Sequence, residues 1–193
     1  MDGILLGLAL VILVIVVLLI IWLIATYNSL IVTEKQAENA WSQIDIQLKR
    51  RADLIPNLVD TVKGYAKFEN KVLAEVTNAR AAILGAKTPK EAAKGENMLS
   101  GALKSIFAVA EAYPTLKANT NFMALQEELS STENKIAFAR QFYNDMVMKW
   151  NTMILKFPTN IAAGMFGRNK EKEFFEANEV EKKNVKVDFS DLS

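Results

Sequence analysis

The chain of 193 residues has a formal net charge of +1, so no overall positive field indicates nucleic acid as a partner. It contains neither cysteine nor histidine, which supply most zinc ligands, haem ligands and pairs of nucleophile and base, and it has no glycine-rich nucleotide-binding motif. The composition therefore predicts no catalytic residue, no metal site, no cofactor and no small-molecule substrate.

The first predicted element is a membrane-spanning helix. Residues 4–25 contain no charged side chain, and a helix of that length covers roughly 33 Å, enough for a hydrocarbon core of about 30 Å. A cleaved signal peptide is disfavoured, because no basic segment precedes the run, the run is too long and no A-x-A site follows. Trp22 and Tyr27 mark the exit. Residues 1–3 carry no cation, whereas Lys35 follows the span, which favours an outside N-terminus and a cytoplasmic C-terminal part.

Residues 27–157 are predicted to form an antiparallel bundle of four long helices. Apolar residues recur at helical spacing over residues 27–51, 56–84 and 89–113. The fourth helix has an apolar seam with alternating steps of three and four, as in a heptad repeat. The seam positions are Phe122, Leu125, Leu129, Thr132, Ile136, Ala139, Tyr143, Met146, Trp150, Met153 and Phe157. The expected fold is all-α, with the transmembrane helix in front of the bundle.

Residues 158–193 are predicted to be a tail, because the helical pattern decays beyond Pro158. Alternation at Val185, Val187 and Phe189 predicts a short strand or an extended arm. No fifth helix follows to cover the apolar side chains of the tail, which predicts a contact between copies in a homo-oligomer. These side chains are Met165, Phe166, Phe174, Phe175, Val187 and Phe189.

The stretch IQLKRRADLIPNL places three cations in a row before Asp53 and Pro56. If Pro56 opens a new helix, the cations lie in a last helical turn, at a corner roughly 37 Å from the membrane and out of reach of lipid phosphates. One interpretation is a solvated corner whose cations complement the carbonyl end of the helix. The other is a docking tip for another protein. The candidate tip residues are Lys49, Arg50, Arg51 and Asp53.

Three weaker patterns each have two interpretations. Gly3 and Gly7 form a G-x-x-x-G motif that would let two membrane helices approach closely, or are two glycines in a terminal turn. Acidic residues on the fourth helix favour an exposed face over a metal site, because bundle metal sites need Glu-x-x-His. They are Glu127, Glu128, Glu133 and Asp145. Aromatic residues on the apolar stripes, including Trp41 and Trp150, are predicted to be core and not a ligand cage.

The order and spacing of several motifs resemble those of the LemA family of bacterial membrane proteins. The motifs are YNSL, AWSQIDIQLKRRADLIPNLVDTVKGYA, AEAYPTLKAN, LSSTENKIAFAR, YND, FP and VDF. Phe68 stands where members commonly carry histidine, and Val185 where proline is common. The resemblance implies an N-terminal anchor with an outside N-terminus and a cytoplasmic helical bundle, and it brings no defined activity and no catalytic residue.

Three hypotheses for function follow. The first is a non-enzymatic, self-associating scaffold or adaptor at the bacterial inner membrane, with the lipid bilayer and further copies as its contacts. The second is an adaptor for a membrane protease or a secretion system, docking through the tip defined above. The third is an enzyme that uses carboxylates or lysine. It is the least favoured, because no pair of titratable groups at catalytic spacing can be identified.

Overall fold

The computed structural model describes residues 2–63 and 70–176, and within these ranges every regular element is a helix. The helices are α1 (Asp2–Lys63), α2 (Asn70–Gly85), α3 (Pro89–Glu111), α4 (Pro114–Lys117), α5 (Thr120–Leu155) and α6 (Thr159–Met165). The all-α class is therefore confirmed for the described part of the chain. The strand or arm predicted at residues 185–189, and the departure at Phe68, lie outside the described residues.

Contacts divide the chain into two units. The first unit comprises Met1–Ala40 and Phe142–Lys172, and the second comprises Trp41–Gln141 and Glu173–Ser193.

One helix of the described ranges, α1, is long and apolar enough to cross a membrane. The predicted span at residues 4–25 occupies its beginning, and no part of its most apolar stretch is buried by the rest of the chain. Open space surrounds the positions where a Cβ at Gly3 or Gly7 would point. The apolar helix therefore indicates a membrane anchor.

The helix end predicted at Arg51, and with it the corner at Pro56, is wrong, because α1 continues to Lys63. Pro56 lacks the backbone N–H that would bond the carbonyl of Ala52 four residues earlier. The Arg80 side chain of α2 supplies the missing donor, with its Nε 2.9 Å from the Ala52 oxygen. Because Arg80 supplies this hydrogen bond from another helix, the Ala52 carbonyl is not left unpaired. α1 can therefore continue beyond Pro56.

Replacing Arg80 by methionine is expected to lower the free energy of unfolding by about 1 to 3 kcal/mol, because the buried Ala52 carbonyl would lose its donor. In a Pro56→Ala background the new backbone N–H can reach the same carbonyl, so the same replacement should cost less than about 1 kcal/mol. Urea titrations of the four proteins in this cycle, followed by far-UV circular dichroism, measure the difference. Equal costs in both backgrounds would contradict the role assigned to Arg80.

In the second unit α2 and α3 pack closely across a short turn at residues 86–88. Thr88 caps α3, accepting a hydrogen bond from the backbone N–H of Glu91 at 3.2 Å. The helices approach closely at Gly95, where an added Cβ would lie 2.9 Å from the backbone nitrogen of Ile83. Only glycine therefore fits this crossing without a shift of backbone.

We expect Gly95→Ala to destabilise the protein by about 1 to 3 kcal/mol, because the added methyl group would push two helix backbones apart. Gly101 on the same helix is the matched control, since no atom lies within 4 Å of an added Cβ there. Gly101→Ala should be neutral or stabilising by up to about 1 kcal/mol, because alanine is the better helix former. The same gain in thermal midpoint for both variants would show that the approach at Gly95 is not tight.

The apolar seam predicted on the fourth helix lies on α5, and its positions from Phe122 to Met153 are buried or half-buried. Asn119 precedes the helix as a cap, its Oδ1 accepting from the N–H of Phe122 at 3.0 Å. Phe157 is the exception, because α5 ends at Leu155 and Phe157 is exposed. The heptad spacing thus identifies the buried face of α5 but extends it one position too far.

The described part of the tail packs back on the helices, so the expectation that its apolar side chains stay uncovered is wrong for Phe175. After a cis peptide bond between Phe157 and Pro158, α6 buries Ala162 and Ala163. Phe175 is buried in the second unit, with its ring 6.3 Å from that of Trp41. Met165 and Phe174 stay exposed, whereas Val187 and Phe189 lie outside the described residues. Self-association stays a prediction.

Candidate functional site

The second unit contains a cluster of polar and charged side chains centred on the buried Arg51, which is 1% exposed. Its Nη1 donates to Glu96 Oε1 and, at 3.0 Å, to Ser100 Oγ. Its Nη2 donates to Glu133 Oε2 at 3.3 Å. Glu96 and Ser100 come from α3 and Glu133 from α5, so one guanidinium on α1 binds two other helices. We call these four residues the arginine cluster.

Helical spacing explains how the arginine cluster forms. Glu96 and Ser100 lie four residues apart on one face of α3, and the Ser100 hydroxyl also donates to Glu96 Oε1 at 3.4 Å. Arg51 follows Leu48 by three residues and precedes Ile55 by four, so it occupies a core position on the apolar stripe of α1. Burial lowers the pKa of the Arg51 guanidinium from its ordinary value, while the carboxylate of Glu133 opposes that shift.

The chemistry available to the arginine cluster is structural. A guanidinium stays protonated in proteins and offers five donors and no acceptor, so Arg51 cannot act as a base. Two of the cluster's buried polar atoms, Arg51 Nε and Glu96 Oε2, have no hydrogen-bond partner among the described residues. A buried ion pair that is partly satisfied in this way contributes little net stability. We interpret the cluster as a device that sets the register of α1, α3 and α5 in the second unit.

The remaining residues of the predicted docking tip lie at the surface of α1. Lys49 pairs with Asp45 at 2.6 Å, and Arg50 with Glu128 at 2.5 Å. Asp53 is exposed. Arg51 does not belong to a docking surface, because its side chain is buried in the arginine cluster. The sequence signal that would have separated Arg51 from its neighbours is its place on the apolar stripe of α1.

In the first unit, α5 and α6 meet α1 just beyond the apolar run. Leu30 of α1 packs with Trp150, Ile154 and Ala163 in one buried cluster. The ring of Tyr27 lies 4.7 Å from that of Phe166, centroid to centroid. These contacts confirm the core role predicted for Trp150.

Two polar contacts accompany this packing. Arg168 pairs with Glu34, and its guanidinium lies 6.0 Å from the centre of the Tyr27 ring. An arginine so placed gains both an ion pair and a cation–π contact. The segment that follows α6 is thereby held against α1.

Residues 168–172 lie along α5 and are held by two of its side chains. The indole Nε1 of Trp150 donates to the Lys170 carbonyl at 3.0 Å. Asn151 bonds both backbone groups of Lys172, donating to its carbonyl at 3.0 Å and accepting from its N–H at 2.9 Å. Lys172 Nζ also lies 5.6 Å from the Trp150 ring. We call this segment the strap, and Asn151 positions it.

No group of three or more histidine, cysteine, aspartate or glutamate side chains that could hold a metal ion occurs in the described part of the chain. A surface groove of about 520 Å³ runs beside the turn between α2 and α3, and its charged lining residues Lys87, Glu91 and Lys94 are all exposed. The groove therefore lacks the buried polar groups that fix a small ligand.

Comparison with known proteins identifies related sequences. Residues 40–189 match the LemA family. Protein LemA of Metamycoplasma hominis is 30% identical over 169 residues, which cover 86% of this chain and 74% of the relative. Magnetosome protein MamQ 2 of Paramagnetospirillum magneticum is 24% identical over 180 residues, which cover 80% of this chain and 66% of the relative.

A third relative, Magnetosome protein MamQ of Magnetospirillum gryphiswaldense, is 23% identical over 186 residues, with the same 80% and 66% coverage. The chain thus spans about two thirds of the length of these magnetosome proteins. The family match extends over most of the sequence, including the basic stretch around Arg51. The resemblance inferred from the motifs is confirmed, and the chain belongs to the LemA family.

Proposed function

We propose that the protein is a non-enzymatic, membrane-anchored helical protein that self-associates and acts as a scaffold or adaptor at the bacterial inner membrane. The observation that carries the proposal is the continuity of α1. Its unburied apolar residues 4–25 lead without a break into Leu30, which is fully buried against α5 and α6. A helix with no linker between span and body suits a protein that presents a rigid surface at the bilayer. None of the three relatives described above carries the name of an enzyme.

The proposed architecture is an antiparallel four-helix bundle on the cytoplasmic side, with the N-terminus outside. The positive-inside tendency supports this orientation, because Lys35 follows the span whereas no Lys or Arg precedes it. The absence of cysteine from the sequence makes single-cysteine labelling a clean test. In intact cells a membrane-impermeant maleimide should label Asp2→Cys, and Lys104→Cys only after permeabilisation. The reverse pattern would overturn the orientation.

Self-association is supported by the exposed apolar residue Phe174 and by the open surface at Gly3 and Gly7. Crosslinking in intact membranes should trap copies of this chain with one another. If the two glycines form the contact, Gly3→Leu combined with Gly7→Leu should reduce the crosslinked fraction, whereas the control pair Leu5→Ile and Leu8→Ile should not. Detergent-solubilised protein that light scattering finds monomeric at every concentration would contradict self-association.

A second candidate function is an adaptor for a membrane protease or a secretion system. The observation in its favour is the exposed charged surface formed by Lys49, Arg50 and Asp53 on α1. Lys49→Glu combined with Arg50→Glu should abolish co-purification of such a partner, while helix content stays unchanged. The matched control is Lys94→Glu combined with Lys104→Glu, which reverses the charge of two exposed lysines on α3. Equal loss in both pairs would indicate a general charge effect and reject this surface.

An enzyme that uses carboxylates or lysine is the third hypothesis and has the least support. The buried carboxylate of Glu96 is occupied by its ion pair with the Arg51 guanidinium, which indicates a structural role for this side chain. A hydrolytic or transfer activity that one Asp or Glu substitution removes would revive this hypothesis.

A further inference from the structure

The turn between α5 and α6 in the first unit exposes a group of large apolar side chains. Leu155, Phe157, Ile161 and Met165 are 64%, 74%, 53% and 66% exposed. We call these four residues the turn surface. Residues 155–168 include two cations, Lys156 and Arg168, and no acidic residue. Four large apolar side chains gathered in this way on a surface normally mark a contact with a protein or a membrane.

The contacts between α1 and α5 place the turn surface along the anchor helix. Lys149 Nζ donates to Gln36 Oε1 at 3.3 Å, and Ile154 shares a buried cluster with Leu30. Moving five residues forward on α5, from Lys149 to Ile154, therefore corresponds to moving six residues back on α1, from Gln36 to Leu30. The two helices run antiparallel. The register places Leu155, the last residue of α5, at the level of about residue 29 on α1, and the rest of the turn surface follows directly.

A direct contact supports this level from the other side of the turn surface. Phe166 directly follows Met165, and its ring lies 4.7 Å from that of Tyr27. Residues on both flanks of the turn surface thus reach the same height on α1.

The depth of Tyr27 in the bilayer follows from helix geometry. Tyr27 lies two residues beyond Ala25, the last residue of the uncharged run, which is about 3 Å along the helix axis. Each interfacial layer of a bilayer is about 5 to 7 Å thick. The level of Tyr27, and with it the turn surface, therefore lies within the headgroup layer when residues 4–25 fill the hydrocarbon core.

We propose that the turn surface inserts into the headgroup layer of the leaflet through which α1 leaves the membrane, and so forms a second membrane contact. The inference rests on the proposed anchor. Apolar side chains at that depth gain by entering the boundary between headgroups and acyl chains. Lys156 is exposed and can reach the phosphates of anionic lipids. A second contact would restrict the tilt of α1 in the bilayer, which a single span leaves variable.

The test is depth measurement by electron paramagnetic resonance on the full chain in vesicles of phosphatidylethanolamine and phosphatidylglycerol. Spin labels are attached to Phe157→Cys and Ile161→Cys, one at a time, in the natural cysteine-free background. Met148→Cys is the matched control in the same unit, because Met148 is 56% exposed and the register places it about twelve residues beyond Ala25, roughly 18 Å along the axis. Leu13→Cys, inside the span, reports on the anchor itself.

We expect the labels at 157 and 161 to be more accessible to oxygen than to a water-soluble nickel complex. The label at 148 should be more accessible to the nickel complex. If Leu13 reports lipid while 157 and 161 report water, the second contact is refuted and the anchor stands. If Leu13 also reports water, the proposed anchor fails as well. Spectral broadening at 157 or 161 that disappears on dilution with unlabelled protein would show that another copy covers the turn surface, and would overturn the lipid contact.

Discussion

Arg51→Ala is expected to lower the free energy of unfolding by about 3 to 5 kcal/mol, because Glu96 would be left as a buried carboxylate without its cation. Glu96 lies in the core of the second unit with Arg51 as its ion-pair partner. The full chain in detergent micelles, titrated with urea and followed by far-UV circular dichroism, measures the loss.

The neighbouring arginine provides the matched control for this prediction. Arg50 pairs with Glu128 at the surface, so Arg50→Ala should cost only about 0 to 1 kcal/mol. The double replacement Arg51→Met and Glu96→Leu removes both buried charges and should recover most of the loss, since an apolar pair can replace a buried ion pair at little cost. If Arg51→Ala costs no more than Arg50→Ala, the arginine cluster is not buried as described.

Trp150→Ala is expected to cost about 3 to 5 kcal/mol, because a large buried side chain is lost and the first unit cannot fully close the space. Trp150 packs against Leu30 and Ile154 and holds the strap through the Lys170 carbonyl. The alanine variant should therefore also release the strap, seen as faster hydrogen exchange over residues 168–172.

Trp150→Phe separates the two roles of this residue. Phenylalanine keeps most of the apolar packing but lacks the indole N–H, so the strap should exchange faster while the loss of stability stays near 1 to 2 kcal/mol, about that of a buried hydrogen bond with some lost packing. Unchanged exchange over residues 168–172 in both variants would contradict the contact between Trp150 and the strap.

Periodicity in the sequence was sufficient to predict the all-α class and the buried face of α5. Its steps of three and four keep one face toward the core over ten consecutive seam positions, from Phe122 to Met153. Local periodicity of this kind needs no knowledge of the partner helix. The seam prediction failed at Phe157, because the chain leaves the helix after Leu155 and spacing alone does not mark that exit.

The errors around Pro56 and Arg51 have a different origin. A proline inside a helix normally breaks it, and here the Arg80 side chain, 28 residues from Ala52, donates to the carbonyl that Pro56 cannot reach. A run of three cations normally lies at the surface, and only partners on α3 and α5 make Arg51 an inner residue. Contacts between residues distant in sequence decide both cases, and one sequence does not reveal them.

The strap was missed for the same reason. Neither Asn151 nor Lys172 belongs to a motif, and the two hydrogen bonds between the Asn151 side chain and the Lys172 backbone depend on how the chain returns after α6.

For Arg51 one local signal was available, which is its spacing on the apolar stripe. It shares the steps of three and four that join Leu48 to Ile55.

The membrane anchor is tested most directly by the intact mass of the polypeptide recovered from bacterial membranes after a wash in alkaline carbonate. We expect the protein to stay in the washed membranes with residues 4–25 still attached, because an uncharged helix long enough to cross the hydrocarbon core does not leave it. A soluble polypeptide whose mass shows that it begins at or near Tyr27 would contradict the anchor, and the scaffold function proposed on it.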